Sequence, residues 1–179
     1  MVAPVPARAN ALGFTLIELM IVVGIVGVLA IFALPAMRDL VVANRMKSLS
    51  LDIYSSLALA RSEAIKRNSS NVSMIAATGG WQNGWTVCVD TNADGDCDTG
   101  EVVVTAYDAI DASISLTGPA GPALVTFNRD GRLGSAAATF KIIYTANNIQ
   151  TPMRCVELSV SGRPKTLVDT NHTDSDSCN

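Results

Sequence analysis

The stretch Gly13-Phe14-Thr15-Leu16-Ile17-Glu18-Leu19 runs on without another charge to Leu34, is closed by Pro35, and decides the fold of this chain. Phe14 to Leu34 is 21 residues long and carries one charge, Glu18. About 20 apolar residues, rising roughly 1.5 Å each in a helix, span the hydrocarbon core of a bilayer. A secretory signal peptide has a shorter apolar core with a small-x-small cleavage site after it. Here the expected cut precedes the apolar run, so the run stays in the mature chain.

Glu18 needs an explanation. A carboxylate within a spanning helix costs roughly 2.5–3.5 kcal/mol on insertion scales, and such residues usually mark a function and have a partner. Glu18 follows Phe14 by one helical turn, on the same face. Cleavage after Gly13 frees the Phe14 amine and puts a cation in the same apolar layer, on this subunit or a neighbouring one. The competing reading is a signal anchor that tolerates one polar residue near its end.

Gly13 through Leu19 resembles the processing and assembly motif of type IV pilins and type II secretion pseudopilins. The resemblance implies that a prepilin peptidase cuts after Gly13 and methylates the new amino terminus, Phe14, and that Glu18 is the assembly carboxylate. It also implies that Gly27 and Pro35 lie in the segment that loses helicity when subunits pack into a fibre. The leader, Met1 to Gly13, departs from the family by holding a single basic residue, Arg8.

After the leader and the apolar helix about 145 residues remain, enough for one domain with a real core. The formal net charge of −3 is uneven: Asp90, Asp94, Asp96, Asp98 and Glu101 put five acids and no base into twelve residues. Outside that loop the basic residues outnumber the acidic ones, so the overall acidity says little about the rest of the surface. Four cysteines, Cys88, Cys97, Cys155 and Cys178, all follow the apolar helix. An even number in an exported domain points to two disulfides, with three possible connectivities. The expected one is Cys88–Cys97, closing a short local loop, with Cys155–Cys178 pinning the polar tail. Zinc is the rival reading, weakened by the lack of a C-x-x-C pair and by the place of the lone His172 in the tail.

Only Arg8 precedes the apolar helix, whereas Arg38, Arg45 and Lys47 follow it. The positive-inside rule alone would keep the following domain in the cytoplasm. The cysteines and the resemblance instead place it on the periplasmic side of a bacterial inner membrane, and that is the topology expected.

The helix need not stop at Pro35. Val42, Met46, Leu49, Ile53, Leu57, Ala60 and Ala64 recur at spacings of three and four, an amphipathic stripe. Arg38, Arg45, Lys47, Asp52, Arg61, Glu63, Lys66 and Arg67 lie mostly off it, and Asn68-Ser69-Ser70-Asn71 ends the pattern. A continuous Phe14–Arg67 helix would be about 80 Å long, with Pro35 removing one backbone hydrogen bond and bending it. Beyond Asn71, short apolar runs bounded by turn residues predict strands near Val72–Ala76, Trp85–Asp90, Glu101–Tyr107, Ser113–Thr117, Leu124–Asn128, Thr139–Thr145, Arg154–Val160 and Lys165–Val168.

Four further segments narrow the resemblance: Leu59 to Arg67, Trp81-x-x-Gly84-Trp85-x-Val87, Phe127-Asn128-Arg129-Asp130-Gly131, and Ser161-Gly162-Arg163. Together with the N-terminal motif they are similar to the GspH/FimT/FimU group of minor pilins and pseudopilins. The expectation is therefore an α+β chain with the type IV pilin fold. Residues 1–13 form the leader, 14–34 the membrane and polymerisation helix, 35–70 the amphipathic half of the same helix, and 71–179 an antiparallel β-rich periplasmic domain. The group implies a low-abundance subunit that primes or caps a pilus, or a type II secretion pseudopilus. Its implied partners are other pilins or pseudopilins, the prepilin peptidase and the inner membrane.

Two segments carry weaker chemical signals. Asp90-x-Asn92-x-Asp94-Gly95 followed by Glu101 fits the calcium-loop pattern D-x-[DN]-x-[DN]-G-x5-E, with Asp98 at the ninth position. Against it, the flanks read as strands and Cys97 stands at the eighth position. The alternative is a solvated acidic turn stapled by Cys88–Cys97. Gly162-Arg163-Pro164-Lys165 resembles a Gly-Arg-x-Arg stretch that FimT-like members use toward DNA in natural transformation. Lys165 stands where the second arginine would be, keeping the charge and losing the planar fork. The alternative there is a hairpin turn with solvated charges. Trp81 and Trp85 are expected in the core. With one histidine, and no nucleophile elbow, phosphate loop or HExxH motif, the sequence predicts no enzyme and no cofactor beyond the calcium reading.

Overall fold

The computed structural model describes residues 14–69, 71–119, 123–145 and 152–169. Helix α1 (Leu16–Arg67) is followed by eight strands: β1 (Val72–Ala76), β2 (Trp85–Val89), β3 (Val102–Tyr107), β4 (Ile114–Thr117), β5 (Leu124–Phe127), β6 (Ala138–Tyr144), β7 (Arg154–Leu158) and β8 (Pro164–Val168). The chain divides into two compact units, residues 1–38 and 39–179, with the boundary inside α1.

In the first unit α1 starts at a reciprocal cap. Thr15 and Glu18 have the Ser/Thr-x-x-Glu spacing that satisfies orphan N–H groups at a helix start. Pro35 lies within α1 and, having no N–H, cannot donate to the Ile31 carbonyl, yet the helix continues across it.

In the second unit all seven stripe residues, Val42, Met46, Leu49, Ile53, Leu57, Ala60 and Ala64, are buried. Glu63 is buried too, although the sequence places it on the polar side. It is tolerated because Arg67 Nε donates to Oε2 at 2.6 Å and Lys66 Nζ to Oε1 at 3.2 Å. Those two cations, Arg67 foremost, hold its carboxyl below the usual range. The helix then closes on Asn68, at φ 51°, with Asn68 N–H donating to the Ile65 carbonyl and Ser69 N–H to that of Ala64. This is a left-handed C-terminal cap, for which Asn is the usual substitute for Gly.

All eight expected strands form, within a residue or two of the expected ends. Several trimmed ends have a visible cause. Asp90, Glu101 and Asn128 leave the ladders to bond turn backbone instead. The single antiparallel domain resolves into two four-stranded sheets, ordered β3-β2-β1-β5 and β4-β6-β7-β8. Every pairing is antiparallel. Consecutive strands β4 and β5 fall in different sheets: β5 returns to β1, with Val72 opposite Phe127, while β4 joins β6.

Both sheets and the lower half of α1 contribute to one apolar core. Trp85 and Trp81 lie in it as expected. Trp85 stacks on Tyr107 at 4.9 Å, and Trp81 meets Phe140 edge to face at 4.8 Å. The buried Trp85 indole N–H donates to Ser56 Oγ at 3.0 Å, and Ser56 in turn donates to the Asp52 carbonyl. Helix and sheet are thus joined by one polar contact in an apolar layer. Ser56→Ala strands the indole N–H, a loss of about 1–3 kcal/mol. Urea denaturation should show a lowered midpoint with an unchanged slope; a parental midpoint would show that the contact is dispensable.

Candidate functional site

The N-terminal site is built on the first turn of α1. Thr15 N–H and Thr15 Oγ1 both donate to Glu18 Oε2 at 2.9 Å, and Glu18 N–H donates to Thr15 Oγ1 at 3.3 Å. In the isolated chain the expensive carboxylate is therefore held by its own helix start. Thr15 is a site residue that the motif reading passes over, although Thr15-x-x-Glu18 is a recognisable capping box. Phe14 is 92% exposed. The helix that follows, Leu16–Ala33, has a mean hydropathy of 2.8 and none of its length buried, so by length and composition it can cross a membrane. Gly24 opens a notch between Ile21, Ile25, Val28 and Leu29. Gly13 lies outside the described residues.

The acidic loop joins β2 to β3. Cys88 and Cys97 are disulfide-bonded, as expected, and the β2–β3 register shifts between Val87 and Cys88. The expected Cys155–Cys178 bond has its second residue outside the described ones; Cys155 itself is disulfide-bonded. Asp90 is buried at the base of the loop and accepts from Gly95 N–H at 3.1 Å. Asn92 Oδ1 accepts from Asp94 N–H, and Asp94 Oδ1 from Asp96 N–H. Glu101 spans the loop mouth, accepting from Thr91 N–H at 2.6 Å and Asp98 N–H at 3.1 Å. The Asp94 carboxyl is held below the usual range, chiefly by Asp96 N–H, while Asp98 is pushed up, first by the charge of Asp94. Among the described residues no three His, Cys, Asp or Glu side chains stand together as a ready metal-binding group.

The third candidate is the β7–β8 turn. Gly162, at φ 73°, packs so closely that a Cβ there would overlap the Gly131 carbonyl oxygen. Leu133 N–H donates to the Val160 carbonyl at 3.1 Å. These contacts press the turn carrying Arg163 against the turn carrying Arg129 and Arg132, an adjacency that no sequence spacing reveals. All three arginines and Lys165 are exposed. Arg154 does not join them, because it pairs with Val168 at the other end of β7. Glu157 stands opposite Lys165, and both line an open groove of about 470 Å³ with Arg163 and Thr139.

A capped apolar helix feeding an antiparallel β-domain through a buried amphipathic half defines a type IV pilin-like protein. Residues 50–162 match the family described as Type II transport protein GspH. Residues 8–34 match the Prokaryotic N-terminal methylation motif. The chain belongs to the GspH family of minor pilins and pseudopilins. Among solved structures it is similar to the type IV minor pilin FimU of Pseudomonas aeruginosa. Against one crystal form the TM-score is 0.60 at 22% identity, over 76% of this chain and 96% of that one. A second form gives a TM-score of 0.54 at 20% identity, over 74% and 99%. At that identity the likeness is one of fold.

Proposed function

We propose that this chain is a minor pilin of the FimU type, anchored in a bacterial inner membrane with its β-rich domain in the periplasm. It is cut after Gly13 by a prepilin peptidase, N-methylated at Phe14, and built with other pilins into a type IV pilus, whose assembly or initiation it supports. Its role is structural rather than catalytic. The observation that carries this reading is the union, in one chain, of the methylation motif at 8–34 with the GspH-family region at 50–162.

The physical logic follows from the exposed helix. Leu16–Ala33 has no cover within its own unit, so it needs lipid or the helices of neighbours. A Cβ added at Gly24 or Gly27 would meet nothing within 4 Å, so the backbone there is open to close approach by another helix. Glu18, satisfied by Thr15 in the isolated chain, exchanges that contact for the Phe14 amine of a neighbour and so sets the axial register. Gly27 and Pro35 weaken the helix where packing into a fibre demands local unwinding. A pseudopilin of type II secretion would use the same residues in the same way.

A second reading rests on the two abutting turns. Arg129, Arg132, Arg163 and Lys165 are exposed on or beside these turns, a supply of positive charge that suits phosphate binding by a DNA-capturing pilin. Glu157 and Asp130 lie among them and dilute the patch.

Two experiments test these readings. Glu18→Val removes the carboxylate and leaves the neighbour's amine unpaired in an apolar layer. The variant should reach the membrane at parental levels and nearly vanish from sheared pili on an immunoblot; parental incorporation would take Glu18 out of assembly. For DNA, the full chain in detergent is titrated with labelled duplex against salt. On the DNA reading, Arg163→Gln with Lys165→Gln makes the slope of log affinity against log salt shallower, by roughly 0.9 for each phosphate no longer neutralised. No binding at low salt, or an unaltered slope, ends that reading.

A further inference from the structure

The β2–β3 loop holds a feature that its own hydrogen bonds do not account for. Asp90 is 4% exposed, and its carboxylate is turned into the loop by the Gly95 N–H on Oδ2. Its other oxygen, Oδ1, is buried and has no hydrogen-bond partner. A buried carboxyl oxygen without a hydrogen-bond partner is costly and calls for a ligand.

In the same loop, the Asn92 amide group Nδ2 stands between two carboxylates, 2.7 Å from Asp94 Oδ2 and 3.4 Å from Asp98 Oδ2. Its hydrogens put partial positive charge where the two carboxylates approach one another. Gly95, at φ 91°, makes the sharp turn from which its N–H reaches back to Asp90.

We propose that residues 90–101 form a calcium site. Asp90, Asn92, Asp94 and Asp98 supply side-chain oxygens, Asp96 its backbone carbonyl, and Glu101 a closing carboxylate. The set is all oxygen and mixes charged, amide and carbonyl donors, which suits the irregular shell of six to eight ligands that calcium accepts. Magnesium needs a tighter octahedron and keeps its waters. A soft metal finds no ligand here, since Cys97 is already bonded to Cys88.

The carboxylates need side-chain rotation to converge, with Glu101 releasing one of its backbone contacts. The Asp94 and Asp98 carboxylates already approach the same Asn92 amide group, and a divalent ion between them would offset their like charge. Strands rather than paired helices flank the loop, so its affinity belongs with the extracellular modules, at about 10⁻⁴–10⁻³ M. Bound calcium would stiffen the loop against the β3 edge and complement the Cys88–Cys97 staple.

The test uses the full chain in detergent micelles, stripped with chelator, titrated calorimetrically with calcium chloride and separately with magnesium chloride at fixed ionic strength. One saturable calcium site is expected, with magnesium at least about tenfold weaker. Asp94→Asn and Asp98→Asn are exposed substitutions that should not disturb folding. Each should weaken calcium binding about tenfold or more. In chelator, Asp98→Asn should melt at or above the parental temperature, because it removes repulsion. An acidic turn only, with no saturable heat up to about 10 mM calcium, would overturn the site. So would equal responses to the two ions, or variants that titrate like the parent.

Discussion

One helix in this protein joins two surfaces of opposite character, and the rest of the structure depends on how it does so. Its first half, Leu16–Ala33, is apolar on every side but for Glu18 in its first turn, and uncovered. Its second half buries a single stripe from Val42 to Ala64 and leaves most of its charges outside. A helix apolar all round seeks lipid or other helices, whereas a striped helix seeks a sheet. The boundary between the two compact units falls between Arg38 and Asp39, close to where the pattern changes.

Polar groups inside apolar layers mark the places where this arrangement is specified. Glu18 is retained at the start of the apolar half and satisfied by Thr15. Ser56 gives the buried Trp85 indole its acceptor and so fixes which turn of the helix faces β2. Glu63 enters the buried face because Arg67 and Lys66 accompany it. Each contact contributes modestly to stability and excludes alternatives that an apolar surface alone would allow. The same logic reaches the loops, where the abutting Gly131 and Gly162 turns bring together charges from distant parts of the chain.

Much of this architecture is legible in the sequence. The 3.6-residue period of the lower helix marks all seven of its stripe residues, because burial on one face leaves a periodic trace. The strands are readable from short apolar runs between glycines, prolines and polar turns, and Cys88–Cys97 from its short loop. Features that depend on the third dimension leave no such trace. Nothing local assigns β4 and β5 to different sheets, or sets the Gly131 turn against the Gly162 turn. Glu63 is misplaced by its residue type, since a carboxylate reads as polar until its two cations are seen next to it. Thr15 differs from these cases: its capping-box spacing is plain in the sequence, and only the more conspicuous carboxylate beside it hides it.

The proposed function requires the opening segment to be a processing site, an anchor and a polymerisation helix at once. The most direct measurement is the mass of the N-terminal peptide of the protein recovered from membranes of cells that also make a prepilin peptidase. The peptide should begin at Phe14 and carry one added methyl group, with the apolar helix retained behind it. A chain still beginning in the leader, or one cut after the apolar run, would contradict that requirement.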